Sequence, residues 1–146
     1  MEACFWGHLQ CVQALIDANA AVDNVDSRGW TALMVACGAG NDQCVSALLN
    51  AGADVDTVND EGWTALISAC YWGHPECAHV LVNAHANLEL TNRESESALM
   101  IACKSPSLSR SQNESDAAKM REKLKLEEWR QRKARCVAAL LDGTKP

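Results

Sequence analysis

Gly29-Trp30-Thr31-Ala32-Leu33-Met34-Val35-Ala36-Cys37-Gly38-Ala39-Gly40 reappears 33 residues later as Gly62-Trp63-Thr64-Ala65-Leu66-Ile67-Ser68-Ala69-Cys70-Tyr71-Trp72-Gly73. The same step relates Cys4, Cys37, Cys70 and Cys103, then Cys11, Cys44 and Cys77, then Leu15, Leu48 and Leu81. A period between about 20 and 50 residues is the mark of a solenoid, in which each unit buries its apolar face against its neighbours.

Each unit reads as two short helices. Thr31 and Thr64 are suitable N-caps for helices over Ala32–Ala39 and Ala65–Trp72, and Gly40 and Gly73 end them. Second helices follow over Asn41–Asn50 and Pro75–Asn83, where Pro75 suits a first turn. In the first unit Leu9–Asp17 is such a helix. Met1 aligns with Met34, so the chain starts inside a first helix, which points to a fragment of a longer protein or to a frayed end. A fourth unit opens with Ser97-Ala98-Leu99 and breaks register after Cys103; its second helix resumes at Cys136-Val137-Ala138-Ala139-Leu140-Leu141, 26 residues late.

Gly-Trp-Thr-Ala-Leu, Ala-Cys, Gly-His at Gly7-His8 and Gly73-His74, Val-x-x-Leu-Leu, and Ala51-Gly52-Ala53-Asp54-Val55 together resemble the ankyrin repeat. The resemblance is continuous over residues 1–103 and resumes at Cys136. It implies an all-α solenoid of paired antiparallel helices with hairpin-like turns, here with one elongated C-terminal helix added. It also implies a non-enzymatic scaffold that binds another protein on the concave face made by turns and first helices. Where the family has Thr-Pro-Leu-His, this chain has Thr31-Ala32-Leu33-Met34, Thr64-Ala65-Leu66-Ile67 and Ser97-Ala98-Leu99-Met100, lacking both proline and histidine. Ser95 and Glu96 replace the turn glycine and tryptophan in the fourth unit, as in a modified end cap.

The domain organisation expected is repeats over 1–103, a flexible serine-rich insertion over 104–115, and a basic helix over 116–146 that ends as the second helix of the last unit. Residues 116–142 hold neither glycine nor proline and are rich in helix formers. A continuous helix of about 26 residues is roughly 39 Å long and is expected to project beyond the stack.

Net charge is −6, but residues 1–103 carry thirteen acids against Arg28 and Arg93, whereas residues 104–146 carry eleven bases against six acids. An acidic block with a basic appendage suits different partners at its two ends. No apolar run is long enough for a membrane-crossing helix.

Eight cysteines fall on packing positions and form neither a CxxC pair nor a Cys-His cluster of zinc spacing, so they are read as small buried side chains binding no metal. Free thiols in this number imply a reducing intracellular compartment, with cytoplasm or nucleus ahead of an organelle stroma. His8, His74, His79 and His85 lie at scattered repeat positions, and no phosphate loop, carboxylate pair or nucleophile motif occurs. No catalytic residue, cofactor or small-molecule substrate is expected.

The binding residues are sought among the aromatics, because a core of Ala, Leu, Val and Cys does not obviously need large rings. Trp30, Trp63, Tyr71, Trp72 and Trp6 are expected to line the partner site, with Asp60, Glu61 and Glu96 on its rim. Truncating Trp30 or Trp63 is then expected to weaken binding far more than stability. Trp129, Arg130 and Lys133 on the long helix form a second contact, for which a protein partner ranks ahead of nucleic acid or membrane. The rival readings are a regulatory or targeting domain of a larger protein, and a structural subunit of a large assembly in which the helix is a strut.

Overall fold

The computed structural model describes residues 1–104 and 116–143, with only the backbone given for 116–126. Among them are eight helices and no extended strand: α1 (Glu2–Phe5), α2 (Leu9–Asp17), α3 (Ala32–Ala39), α4 (Asp42–Asn50), α5 (Ala65–Trp72), α6 (Pro75–Asn83), α7 (Ala98–Cys103) and α8 (Asp116–Asp142). First helices stack in the order α1, α3, α5, α7, and second helices in the order α2, α4, α6, α8. The expected loop over 104–115 lies, apart from Lys104, outside the described residues.

Every first helix after α1 begins in the same way. The hydroxyls of Thr31, Thr64 and Ser97 accept the amides of Met34, Ile67 and Met100, so one orphan N–H of each first turn is satisfied. The chain reverses just before each cap. Asp26 Oδ1 accepts Arg28 N and Trp30 N, Asn59 Oδ1 accepts Glu61 N and Trp63 N, and Asn92 Oδ1 accepts Glu94 N and Glu96 N. Successive turns are joined by Asp60 N to Arg28 O and Arg93 N to Glu61 O, both at 3.1 Å.

This stitching explains why Ser95 departs from the pattern. Gly29, Gly62 and Ser95 all have left-handed backbone, with φ of 78°, 77° and 59°. A Cβ on Gly29 would come within 3.1 Å of the Asn59 backbone, and one on Gly62 within 3.0 Å of Arg93 N. Both are held to glycine by the turn that follows. Among the described residues no turn follows Ser95, so only the modest cost of the left-handed conformation remains.

The core runs through the stack in register. Leu33 and Leu66 are buried, as are Leu48, Leu81 and Leu140, and Cys44, Cys77 and Cys136. Leu140 and Cys136 belong to α8, which is 27 residues long and packs its C-terminal part on α6 and α7. All eight cysteines are free, but only six are buried, which corrects the expectation for Cys11 and Cys103. Their register mates Cys44, Cys77, Cys37 and Cys70 have a unit on either side. Cys11 and Cys103 lie at opposite ends of the stack on the side that no further unit covers, whereas their mates at the other ends, Cys136 and Cys4, lie on the covered side and are buried.

Candidate functional site

The turns fix where the tryptophans leave the backbone, because Asp26 and Asn59 hold the amides of Trp30 and Trp63 at 2.9 and 2.8 Å. The same two amide bonds at Asp26, from Trp30 and then Arg28, hold its carboxyl below the usual carboxylate range. Both indoles are half-buried against the core. From them a row of rings continues. Centroids lie 6.2 Å apart for Trp30 and Trp63, 4.9 Å for Trp63 and Tyr71, and 5.1 Å for Tyr71 and Trp72, the last two edge to face. Tyr71 and Trp72 end α5 and remain 48% and 55% exposed.

Beyond Tyr71 the row crosses to α8 through a cation. The Lys133 ammonium stands 5.7 Å from the Tyr71 centroid and 5.1 Å from that of Trp129, within cation–π range of both rings. It donates to Cys70 O and, at 3.4 Å, to Ile101 O, carbonyls of α5 and α7. Burial pulls the Lys133 pKa down, and the neighbouring thiols act against that shift.

Lys133 is thus misplaced in the expected second contact. It is 4% exposed and is spent on the protein's own carbonyls. Its position also explains its role. Asn41, His74 and Lys133 each precede the register cysteine Cys44, Cys77 or Cys136 by three residues. Asn41 Nδ2 donates to Cys4 O and Phe5 O at 2.8 and 2.9 Å, and the His74 Nε2 bonds Gly38 O at 3.2 Å. In each unit this residue reaches back to the carbonyls that end the previous first helix. Lys133 does so across both α5 and α7.

The turns, α5, α7 and α8 enclose a groove of about 750 Å³. Trp63, Tyr71, Trp72 and Trp129 provide its rings, Ile101 and Lys133 lie at its base, and Glu61, Asn92, Arg93, Glu94, Glu96 and Lys104 complete the lining. The two contact sets anticipated as separate therefore meet in one place. Glu96 accepts from Asn92 Nδ2 at 3.2 Å and pairs with Lys104. Trp30 joins through its ring stack, and Asp60 is exposed on the adjoining turn without lining the groove. Arg130 is exposed and pairs with Glu127 at 3.1 Å. Trp6 is 66% exposed and stacks on Phe5 at 5.1 Å in the first unit, outside the groove.

Ile101, Asn92, Arg93 and Lys104 were not singled out beforehand. Asn92 was legible, since it stands 33 residues after Asn59 in the turn pattern; Lys104 and Ile101 carry no signal of their own and depend on where α8 docks. The buried thiols are shifted in different directions: burial pushes the Cys37 thiol well up, and a hydrogen bond to Cys136 together with burial raises Cys70, while the same bond lowers Cys136. Among the described residues no cluster of three or more His, Cys, Asp or Glu is arranged to hold a metal.

The paired helices, hairpin turns and 33-residue register define an ankyrin-type solenoid. The chain belongs to the ankyrin-repeat family: the family model for ankyrin repeats matches residues 1–92 as three copies. The fourth unit, α7 with α8, lies beyond that match and is joined to the stack by its packing. Comparison with curated proteins returns no match. Ankyrin repeats generally mediate protein–protein interaction and are typically non-enzymatic.

Proposed function

We propose that this chain is a non-catalytic interaction module that docks a segment of a protein partner in the groove between the aromatic row and α8. The observation that carries the reading is the convergence of Trp63, Tyr71 and Trp72 with Trp129, from the opposite wall, on one cavity. Half-exposed rings held by edge-to-face contacts remove apolar area from water at little further entropic cost, which suits them to be binding hot spots. A reducing compartment fits the same picture, because six of the eight thiols fill packing positions.

The test is site-specific photo-cross-linking of the full chain in the cells that make it. Benzoylphenylalanine replaces Tyr71, Trp129 or, on a second helix away from the groove, His79. A partner band shared by the first two positions and absent at His79 supports the reading. Cross-linking from His79 alone places the partner on the other face and removes the groove from consideration.

A further inference from the structure

We infer that the groove selects a basic segment, one in which a lysine or arginine is flanked by apolar side chains; this rests on the groove being the partner site. The argument begins with the rings. The negative π-faces of indole and phenol attract cations, and this groove already contains an example, the Lys133 ammonium held between Tyr71 and Trp129. Lys133 occupies only the inner end. Trp72, 55% exposed, and the outer part of Trp63 offer the same chemistry to an incoming side chain.

The rim supplies the charge. Of its acids, Glu96 is neutralised by Lys104. Glu61 and Glu94 are exposed, and among the described residues neither carboxylate is engaged by another side chain. Arg93 is the rim base with no acidic side-chain partner among the described residues, and with the buried Lys133 ammonium the six charged lining side chains balance, so what the rim offers a cation is the local pair of open carboxylates, with Asp60 on the adjoining turn. The two walls belong to parts of opposite sign: the turns to residues 1–103, with thirteen acids against two bases, and α8 to residues 104–146, with eleven bases against six acids. A cationic head is therefore directed to the turn wall, where Glu61 and Glu94 stand, and not to the α8 wall. A volume of about 750 Å³ takes a few side chains of an extended segment and not a folded domain. Carboxylate and ring faces together match a long side chain with an apolar stem and a charged head.

The experiment selects a phage-displayed library of random twelve-residue peptides on the full chain, then titrates one synthetic enriched peptide into the ¹⁵N-labelled protein. Enriched peptides are expected to be net positive, with Lys or Arg beside apolar residues. The synthetic peptide is expected to shift the indole N–H signals of Trp63, Trp72 and Trp129 and to leave that of Trp6 in place. Binding should weaken at least tenfold in the variant carrying Glu61→Gln and Glu94→Gln, and less than twofold in one carrying Asp17→Asn and Glu89→Gln. Enrichment of acidic or neutral peptides that shift the groove indoles overturns the inference while leaving the groove as the partner site. Peptides that shift only Trp6, or no indole, overturn both. Basic peptides indifferent to the Glu61 and Glu94 changes overturn the assignment of the acids.

Discussion

Lys133 shows what a single register position decides. As part of a run of bases it reads as a solvated surface residue, because charge runs normally are. Counted back from Cys136, it stands where Asn41 and His74 stand, and its burial follows from the work that position does in every unit. Removing it leaves two buried carbonyls short of a donor, so Lys133→Ala is expected to lower stability by about 2 kcal/mol. Arg130→Ala, which loses only an exposed pair with Glu127, should change it by less than about 0.5 kcal/mol. Urea denaturation of the two variants measures the contrast, and equal effects would show that Lys133 is not a structural donor. His74 makes the same kind of bond with a titratable ring. Burial holds its pKa below the ordinary value of 6.5, with the Gly38 carbonyl acting against this and Arg132 reinforcing it. The unfolded chain therefore binds the proton more readily, so the His74 contribution is complete above pH 6.5 and is lost as pH falls through the folded pKa. The urea midpoint should drop between pH 7.5 and 5, and His74→Asn, which restores the donor used at Asn41, should flatten that part of the profile. An unchanged slope in the variant would assign the acid sensitivity elsewhere.

At the scale of elements, the helices were legible because their signals are local. Threonine caps, helix-ending glycines and a proline in a first turn place α3, α5 and α6 on the bounds expected, and α4 begins one residue later, at Asp42. The helical character of α8 was legible too, from its composition. The seat of its C-terminal part on α6 was legible from the register of Cys136 and Leu140, but the approach of Trp129 to the ring row was not, because it runs through the Lys133 ammonium between Trp129 and Tyr71, residues far apart in the chain. The same limit affected the rings. Trp30 and Trp63 were expected to be dispensable for folding, yet both pack half-buried on the core, so stability and binding are mixed in them. Trp63→Ala is expected to cost about 2–3 kcal/mol of stability, at or below the low end of the range for loss of a fully buried large aromatic side chain because the ring is only partly buried. Trp72, at 55% exposure, separates the two effects. Its truncation should lower the melting temperature by no more than a few degrees while weakening the groove-binding peptide at least tenfold, as loss of a hot spot does. Thermal melts and titrations on both variants decide this. Full binding by Trp72→Ala would remove that ring from the site.

The whole molecule behaves as a one-dimensional stack, and a residue's worth depends on where in the stack its register position falls. Leu15, Leu48 and Leu81 are one position in three successive units, and sequence pattern alone gives them equal weight. Their exposures are 52%, 3% and 0%. In the row of second helices Leu48 lies in α4, which has α2 on one side and α6 on the other, and Leu81 lies in α6 between α4 and α8, whereas α2 has only α4 beside it in that row among the described helices. Leu33 and Leu66 repeat the effect at the opposite end, where their mate Leu99 is 39% exposed against 1% for each of them. In a solenoid each interface contributes separately, so the cost of a truncation follows the number of neighbours that close over it. Leu48→Ala and Leu81→Ala should each destabilise by about 2–5 kcal/mol, the range for a buried leucine replaced without full relaxation of its surroundings. Leu15→Ala should cost less than about 1 kcal/mol, since its side chain is already half in water. Equilibrium urea denaturation of the three single variants, followed by far-ultraviolet circular dichroism, gives the comparison directly. Equal losses at all three positions would mean that the first unit is covered in solution by something that the stack of α1 to α8 does not provide.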